Sequence, residues 1–267
     1  MDLSIVIVSY NARGDLANCL DSVLLHPPSF SHEIIVVDNA STDGSPDIAS
    51  ARRGVRVIRS ATNGGFAVAN NIGIRDSTGI NVLLLNCDTI VPPGALDGLM
   101  RRLAIEPDVA VIGPRLVDGR GRAELSFGPM LTPWNEWRRQ RLFRKLADND
   151  AASVEEVERL TRLEQRPDWV TGACLLVRRI DADAVGLLDE RFFMYTEDVD
   201  FCASIRARGR QILFMAGVDV VHLRGRSAAT ASEATRAAYE RSHLAFYRKH
   251  HPQFAPLLSL FRVFRRG

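Results

Sequence analysis

Residues 80–89 read INVLLLNCDT. From Ile80 to Leu85 the run is almost unbrokenly apolar, without polar–apolar alternation, so a strand built from it is expected to be buried on both faces. Such a strand seldom ends in acid, yet this one runs straight into Asn86-Cys87-Asp88. Asn and Asp start turns and cap helices, and PPGALDGL follows from Pro92, which is a sufficient local reason. A functional reason needs further polar residues delivered to the same place.

Working outward, three similar runs precede it: LSIVIVS, EIIVVD and VRVIRS. Between the first two, Leu16, Cys19, Leu20, Val23 and Leu24 recur at helical spacing until Pro27 and Pro28 end the helix. DIASARR predicts a short helix, and Asn63 opens another through GFAVANNIGIRDS, closed by Gly79. Continuous apolar strands alternating with helices predict an α/β fold: a mainly parallel central sheet with helices on both faces. Downstream the pattern loosens. VAVIGP and AELSFG predict short strands, and a charged helical insertion runs from Trp134 to about Gln165, clearest at SVEEVERLTRL. WVTGACLLVRR is a strand, TEDVDFCASIRARG a helix and VDVVHL a last strand, all in one compact unit without repeats.

With 267 residues, 46% hydrophobic, and a formal charge of +2, the overall balance favours neither nucleic-acid binding nor strong membrane attraction. Locally, RRQRLFRK and FRVFRRG interleave basic and apolar residues. Cys19, Cys87, Cys174 and Cys202 form no C-x-x-C pair, so free buried thiols in a reducing cytoplasm are expected. The N-terminus enters a strand at once, with Asp2 where a signal peptide would carry Lys or Arg. No run approaches the ~20 apolar residues of a membrane span. The expectation is a cytoplasmic protein, with the inner face of the cell membrane open to it as a peripheral site.

In open parallel sheets, ligands gather at the carboxyl ends of the strands. Here those ends carry Ser9, Tyr10 and Asn11, then Asp38 and Asn39, then Asp88. An aromatic face for a base, a carboxylate for base or ribose donors, and a carboxylate for a metal on a diphosphate would together suit a nucleotide. No G-x-G-x-x-G follows the first strand and no G-x-x-x-x-G-K-[ST] exists, which argues against a dinucleotide fold and a P-loop.

SIVIVSYN, IIVVDNASTDGS, NGGFAVANNIG, LLLNCDT, WVTGACLLVRR and FFMYTEDVDFCASIRARG, in this order, resemble glycosyltransferase family 2, the inverting enzymes of GT-A fold. The resemblance runs from Leu3 to about Arg224. NGGFAVANN with YTEDVDFC is most similar to rhamnosyltransferase-like members that build cell-surface polysaccharide or glycolipid. It implies a GT-A domain over residues 1–225, with the insertion at about 134–167, and a C-terminal helical extension over 226–267.

The same resemblance implies roles. Asp88 stands at the last position of a D-x-D motif, whose first position is Asn86, and would bind Mn²⁺ or Mg²⁺ on the donor diphosphate. His222 matches a histidine that ligates the same metal in several relatives; a strand-end histidine bonded to backbone is the plain alternative. Ser9, Tyr10, Asn11, Asp38, Asn39, Asn63, Asn86 and Arg224 would belong to the donor site. Asp198 aligns with the general base, with Glu197 beside it, although Thr196 capping a helix would by itself explain acids in its first turn. Asp200 is expected to pair with Arg206 or Arg208. The implied reaction moves a hexose, rhamnose or another deoxysugar, from a UDP- or dTDP-sugar to a saccharide or polyprenyl-linked saccharide, with no nucleic-acid partner and with the basic-apolar C-terminal helix touching membrane. The alternatives are a binding module that has lost the chemistry and a nucleotidyltransferase.

Overall fold

The computed structural model describes residues 1–223, 233–256 and 258. The first half alternates as expected: β1 (Leu3–Ser9), α1 (Arg13–Leu25), β2 (His32–Asp38), α2 (Ser45–Ser50), β3 (Val55–Arg59), α3 (Gly65–Asp76), β4 (Asn81–Asn86). Then come β5 (Thr89–Ile90), α4 (Ala95–Ala104), β6 (Val109–Val117), β7 (Ala123–Glu124) and β8 (Phe127–Gly128). The insertion is a helix pair, α5 (Pro133–Ala147) and α6 (Ala151–Thr161). The chain continues through β9 (Trp169–Val170), β10 (Cys174–Arg178), α7 (Arg179–Ala184), α8 (Glu197–Ala207), β11 (Gln211–His222) and α9 (Glu233–His250). The single strand expected from WVTGACLLVRR is broken between β9 and β10, and β9 pairs with β8 in a separate two-stranded sheet.

The main sheet has the order β3-β2-β1-β4-β10-β6-β11-β5. β1, β2, β3 and β4 are mutually parallel, whereas β10 is antiparallel to both of its neighbours, β4 and β6. With β11 parallel to β6, the strands β1, β2, β4, β6 and β11 all point one way. Their carboxyl ends and the start of β10 therefore meet at one rim, and the backbone N–H of Asn86 donates to the Ala173 carbonyl there (2.9 Å).

Side-chain alternation explains the unbroken apolar runs. Ile5 and Ile7 of β1, with Leu83 and Leu85 of β4, pack with Leu16, Cys19 and Leu20 of α1 and Leu99 of α4. Val6, Val82 and Leu84 face the other way, among Ala67 and Ile74 of α3, Phe201 and Ile205 of α8, and Phe246 of α9. Successive residues of β1 and β4 enter different cores, which is why their central positions are apolar.

Arg224 lies outside the described residues, as do the side chains of 226–236 and the basic C-terminal FRVFRRG. Among the described residues no helix is long and apolar enough to cross a membrane. All four cysteines are free; Cys87 is half-buried and the other three are buried.

Candidate active site

At the ends of β1 and β2 the rim holds buried polar atoms with no protein partner. The Ser9 hydroxyl is one, and the Oδ1 of Asp38, a residue only 3% exposed, is another. The other Asp38 oxygen accepts the Ser41 N–H (3.1 Å). An unsatisfied buried acceptor costs about 1–3 kcal/mol, so such atoms mark a place where a ligand's donor belongs. Tyr10 stands beside them half exposed (50%).

Three predicted ligands, Asn11, Asn39 and Asn63, are instead bonded into the scaffold. Asn11, at a φ of +48°, accepts the Thr42 N–H (2.8 Å) and donates its own N–H to Ser41 Oγ (2.9 Å), tying the loop after β1 to the loop after β2. Asn39 donates to Asn63 Oδ1 (2.7 Å) and accepts the Gly64 N–H (3.0 Å). Asn63 in turn accepts the N–H of Gly65, the first residue of α3 (3.0 Å), one position later than a capping Asn63 would start the helix.

Asp88 and His222 meet across the rim: Asp88 Oδ1 lies 3.3 Å from His222 Nε2. The other ring nitrogen lies 3.1 Å from Oε2 of the buried Glu124. The backbone-bonded alternative for His222 is thus replaced by a ring between two carboxylates. Burial pushes the imidazole down, but the bonds to Asp88 and Glu124 outweigh it and raise its pKa to about 9.

The pair has the spacing of neighbouring ligands on one octahedral ion, for which donors at about 2.1 Å lie about 3.0 Å apart. Glu124 stands where a carboxylate would orient the imidazole from behind if the ring took up a cation. Among the described residues no three His, Cys, Asp or Glu side chains converge as a closed cage. Two protein donors suit a hard cation whose remaining positions are filled by phosphate and water. Asn86 sits half-buried at the same turn.

The start of α8 carries the other acids. Tyr195 and Thr196 both have left-handed backbone, with φ of +68° and +66°. Thr196 does not cap the helix: its hydroxyl donates back to the Tyr195 carbonyl (2.6 Å), because the left-handed backbone turns the side chain away from the helix N–H groups. Asp198 is held by backbone instead, accepting the Gly172 N–H on one oxygen (2.9 Å) and the Val199 N–H on the other (2.8 Å). Glu197 is buried, and its Oε2 has no partner. Burial first, and the neighbouring Asp198 charge second, push its carboxyl well above the usual range.

A folded-state pKa above the unfolded one means that Glu197 stabilises the fold below the ordinary glutamate range and loses that contribution as pH rises through the folded value. Glu197→Gln is therefore expected to melt higher than the parent at alkaline pH, by at least about 1 kcal/mol, or roughly 2–4 °C. The gap should close toward about pH 5. Melting curves that run parallel across that range would remove the assignment.

Asp200 also departs from expectation. It pairs with Lys249 (2.8 Å) and His250 (2.6 Å) of α9, while Arg206 pairs with Asp168 (2.7 Å). One turn of α8 thus sends Asp198 toward the rim and Asp200 toward α9, where Lys249 also reaches Asp189 (2.9 Å).

The family model for glycosyl transferase family 2 matches residues 4–154, more than half of the chain, including the ends of β1, β2 and β4. The chain belongs to glycosyl transferase family 2. It is 28% identical over 264 residues to an N-acetylglucosaminyl-diphospho-decaprenol L-rhamnosyltransferase of Mycobacterium tuberculosis, covering 93% of this chain and 85% of that one. It is also 28% identical to the low-salt glycan biosynthesis hexosyltransferase Agl10 of Haloferax volcanii, covering 83% and 67%. Among solved structures, a mannosyltransferase of Pyrobaculum calidifontis in complex with GDP-Man and Mn²⁺ is similar at a TM-score of 0.63 and 19% identity, covering 96% of this chain and 68% of that one. GalNAc-T7 with UDP, GalNAc and Mn²⁺ is similar at 0.64 and 18%, over 91% of this chain but 48% of its own length. At these identities the structural likeness speaks for the fold, which is GT-A.

In this family 2 chain, NGGFAVANN has a structural purpose that its sequence does not show. Asn71 donates to the Leu188 carbonyl (2.8 Å) and accepts the Leu188 N–H (3.1 Å), and Phe66 N–H donates to the Phe193 carbonyl (2.7 Å). The motif thereby pins the segment that leads into Glu197 and Asp198. Gly65 has a φ of +86°, and a Cβ there would run into the Phe193 carbonyl, which is backbone and cannot swing away. Gly65→Ala is expected to cost about 2 kcal/mol or more, a fall of roughly 5 °C in melting temperature. An unchanged midpoint would show that the segment tolerates displacement. Glu124 and the Gly172 N–H are further site groups that the motif reading missed. Glu124 carried a signal, an acid in a short strand-like run, of the same kind as Asp88.

Proposed function

We propose that this glycosyltransferase is an inverting, cation-dependent hexosyltransferase. It would move rhamnose or another deoxysugar from a UDP- or dTDP-sugar to a saccharide or polyprenyl-linked saccharide, in the cytoplasm. One observation carries the reading: the ends of β2, β4 and β11 bring the unsatisfied Asp38 and the Asp88–His222 pair to the rim where the Gly172 N–H, just before β10, holds Asp198 of α8. Supporting the substrate class is the rhamnosyltransferase relative, whose name specifies a diphospho-decaprenol acceptor.

In this reading the free Asp38 oxygen accepts an N–H or O–H of base or ribose, and Tyr10 offers its exposed ring to the base. Uracil and thymine both present the N–H that such a carboxylate needs. Asp198 takes the acceptor hydroxyl's proton as that oxygen bonds to the anomeric carbon, while the bond from carbon to the diphosphate oxygen breaks on the opposite face. A divalent cation held by Asp88 and His222 would supply charge neutralisation at the departing diphosphate. Burial pushes the Glu197 carboxyl up, which disfavours a second negative charge against Asp198.

The test is a thermal-stability panel of nucleoside diphosphates and their sugars, each with and without Mn²⁺. A ligand at ~100 times its Kd adds about 2.7 kcal/mol, several degrees for a chain of this size. A Mn²⁺-dependent rise confined to uridine or thymidine diphosphates is expected. No rise with any nucleotide, or release of pyrophosphate instead of nucleoside diphosphate on turnover, would overturn the reading.

A further inference from the structure

The helix α5 has no buried residue, yet one side of it is firmly docked. Glu136 is held by His243 Nε2 (2.5 Å) and by the Tyr247 hydroxyl (2.5 Å), both on α9. Arg139 lies over the Trp169 ring, 4.6 Å from its centroid. These contacts fix the rotation of α5 and decide which residues face outward. Trp134, Trp137, Arg138, Arg141 and Lys145 follow one another at spacings of three, one, three and four, which places all five on one face. All five are exposed, Trp134 at 62% and Trp137 at 45%. The two indoles stack at 5.0 Å, and Arg141 lies 5.7 Å from the Trp137 ring. No acid shares this face, because Glu136, the helix's one acid, is turned inward.

We propose that this face of α5 is a docking surface for an anionic lipid bilayer. Leaving two large indoles in water is unfavourable by the apolar area they expose. A convex helix face presents nothing concave for a small ligand to enter. Indole rings settle at the boundary of headgroups and acyl chains, and a helix with Trp on its face and Arg and Lys beside it lies flat in that boundary. The charge is complementary: Arg138, Arg141 and Lys145 meet lipid phosphates on the same plane the rings enter. The surface also connects to the chemistry. His243, one of the two groups holding α5, stacks on Tyr239 (5.8 Å), and Tyr239 meets edge-on the Tyr195 that precedes the catalytic acids (5.5 Å). A bilayer on α5 would thus sit on a helix tied to α9, which in turn meets Tyr195 just before α8. This inference goes beyond the transferase reading and stands without it.

The experiment is co-sedimentation of the full chain with vesicles of equal parts phosphatidylglycerol and phosphatidylcholine, beside vesicles of phosphatidylcholine alone and beside duplex DNA as a polyanion without a bilayer. The full chain is expected to bind the anionic vesicles, weakly or not at all the neutral ones, and the DNA far less. Trp134→Ala/Trp137→Ala should weaken vesicle binding at least tenfold. Arg138→Gln/Arg141→Gln should weaken it about 25-fold, from about fivefold per charge near an anionic surface. Both variants should keep the parental melting temperature, since their side chains touch no core. The proposal is overturned if the full chain fails to sediment with anionic vesicles. It is equally overturned if the variants sediment as the parent does, which would assign binding to another basic segment, or if DNA binds as tightly as the vesicles.

Discussion

Asp198→Asn is expected to lower turnover by about 10²–10⁴-fold while donor binding stays where it was. The substitution is conservative in the sense that matters structurally. An amide oxygen can still accept the Gly172 N–H that now bonds the carboxylate at 2.9 Å, so the junction of α8 with the start of β10 keeps that tie and gives up only the bond from the Val199 N–H. What disappears is the capacity to take a proton from an acceptor hydroxyl. Turnover and nucleotide-dependent stabilisation measured on the same preparation separate the two roles. Loss of both would make Asp198 a structural residue of the α8 junction. Loss of neither would move the base elsewhere, with Glu197 the next group to test.

Asp88→Ala is expected to abolish the Mn²⁺-dependent part of nucleoside diphosphate stabilisation, up to the whole of a shift of about 2.7 kcal/mol at saturating ligand. The cation-independent part, carried by the β1 and β2 ends, should remain. Glu124→Gln should give an intermediate result, weakening the cation effect by about 10–100-fold, because it loosens the imidazole without removing a donor. This graded order separates a metal site from a simple ion pair. If Asp88 served only to pair with His222, its removal would lower the melting temperature of the protein alone and leave the response to Mn²⁺ unchanged.

Much of this architecture was legible because it rests on one-dimensional patterns. Unbroken apolar runs such as IVIV and VLLL predict strands buried on both faces, and Ile5 and Val6 do enter opposite cores. Ser9, Asp38 and Asp88 stand where the runs stop, and the structure places them on one rim. Residue type suits Asn11, Asn39 and Asn63 to a donor site, but their amides bind loop backbone or one another. The residue types suited either use, and only the positions of the neighbouring loops decide between them. The Thr196 cap failed because its left-handed backbone, at a φ of +66°, turns the hydroxyl away from the helix. Asp200 found Lys249 and His250 rather than an arginine of its own helix, since α9 packs against α8 from far along the chain.

The parallel first half, the positions where acids end strands and the family to which the motifs belong are all written in the one-dimensional pattern. Each of these depends on local periodicity and residue order. The tertiary structure decided the rest. β10 inserts antiparallel between β4 and β6, and that reversal brings Gly172 to the rim beside Asn86 and gives Asp198 its backbone donor. Glu124 reaches His222 across 98 positions, and α9 chooses the partner of Asp200 and the outward face of α5. Contacts between distant segments leave no period in the sequence, because their geometry exists only once the sheet has set the register.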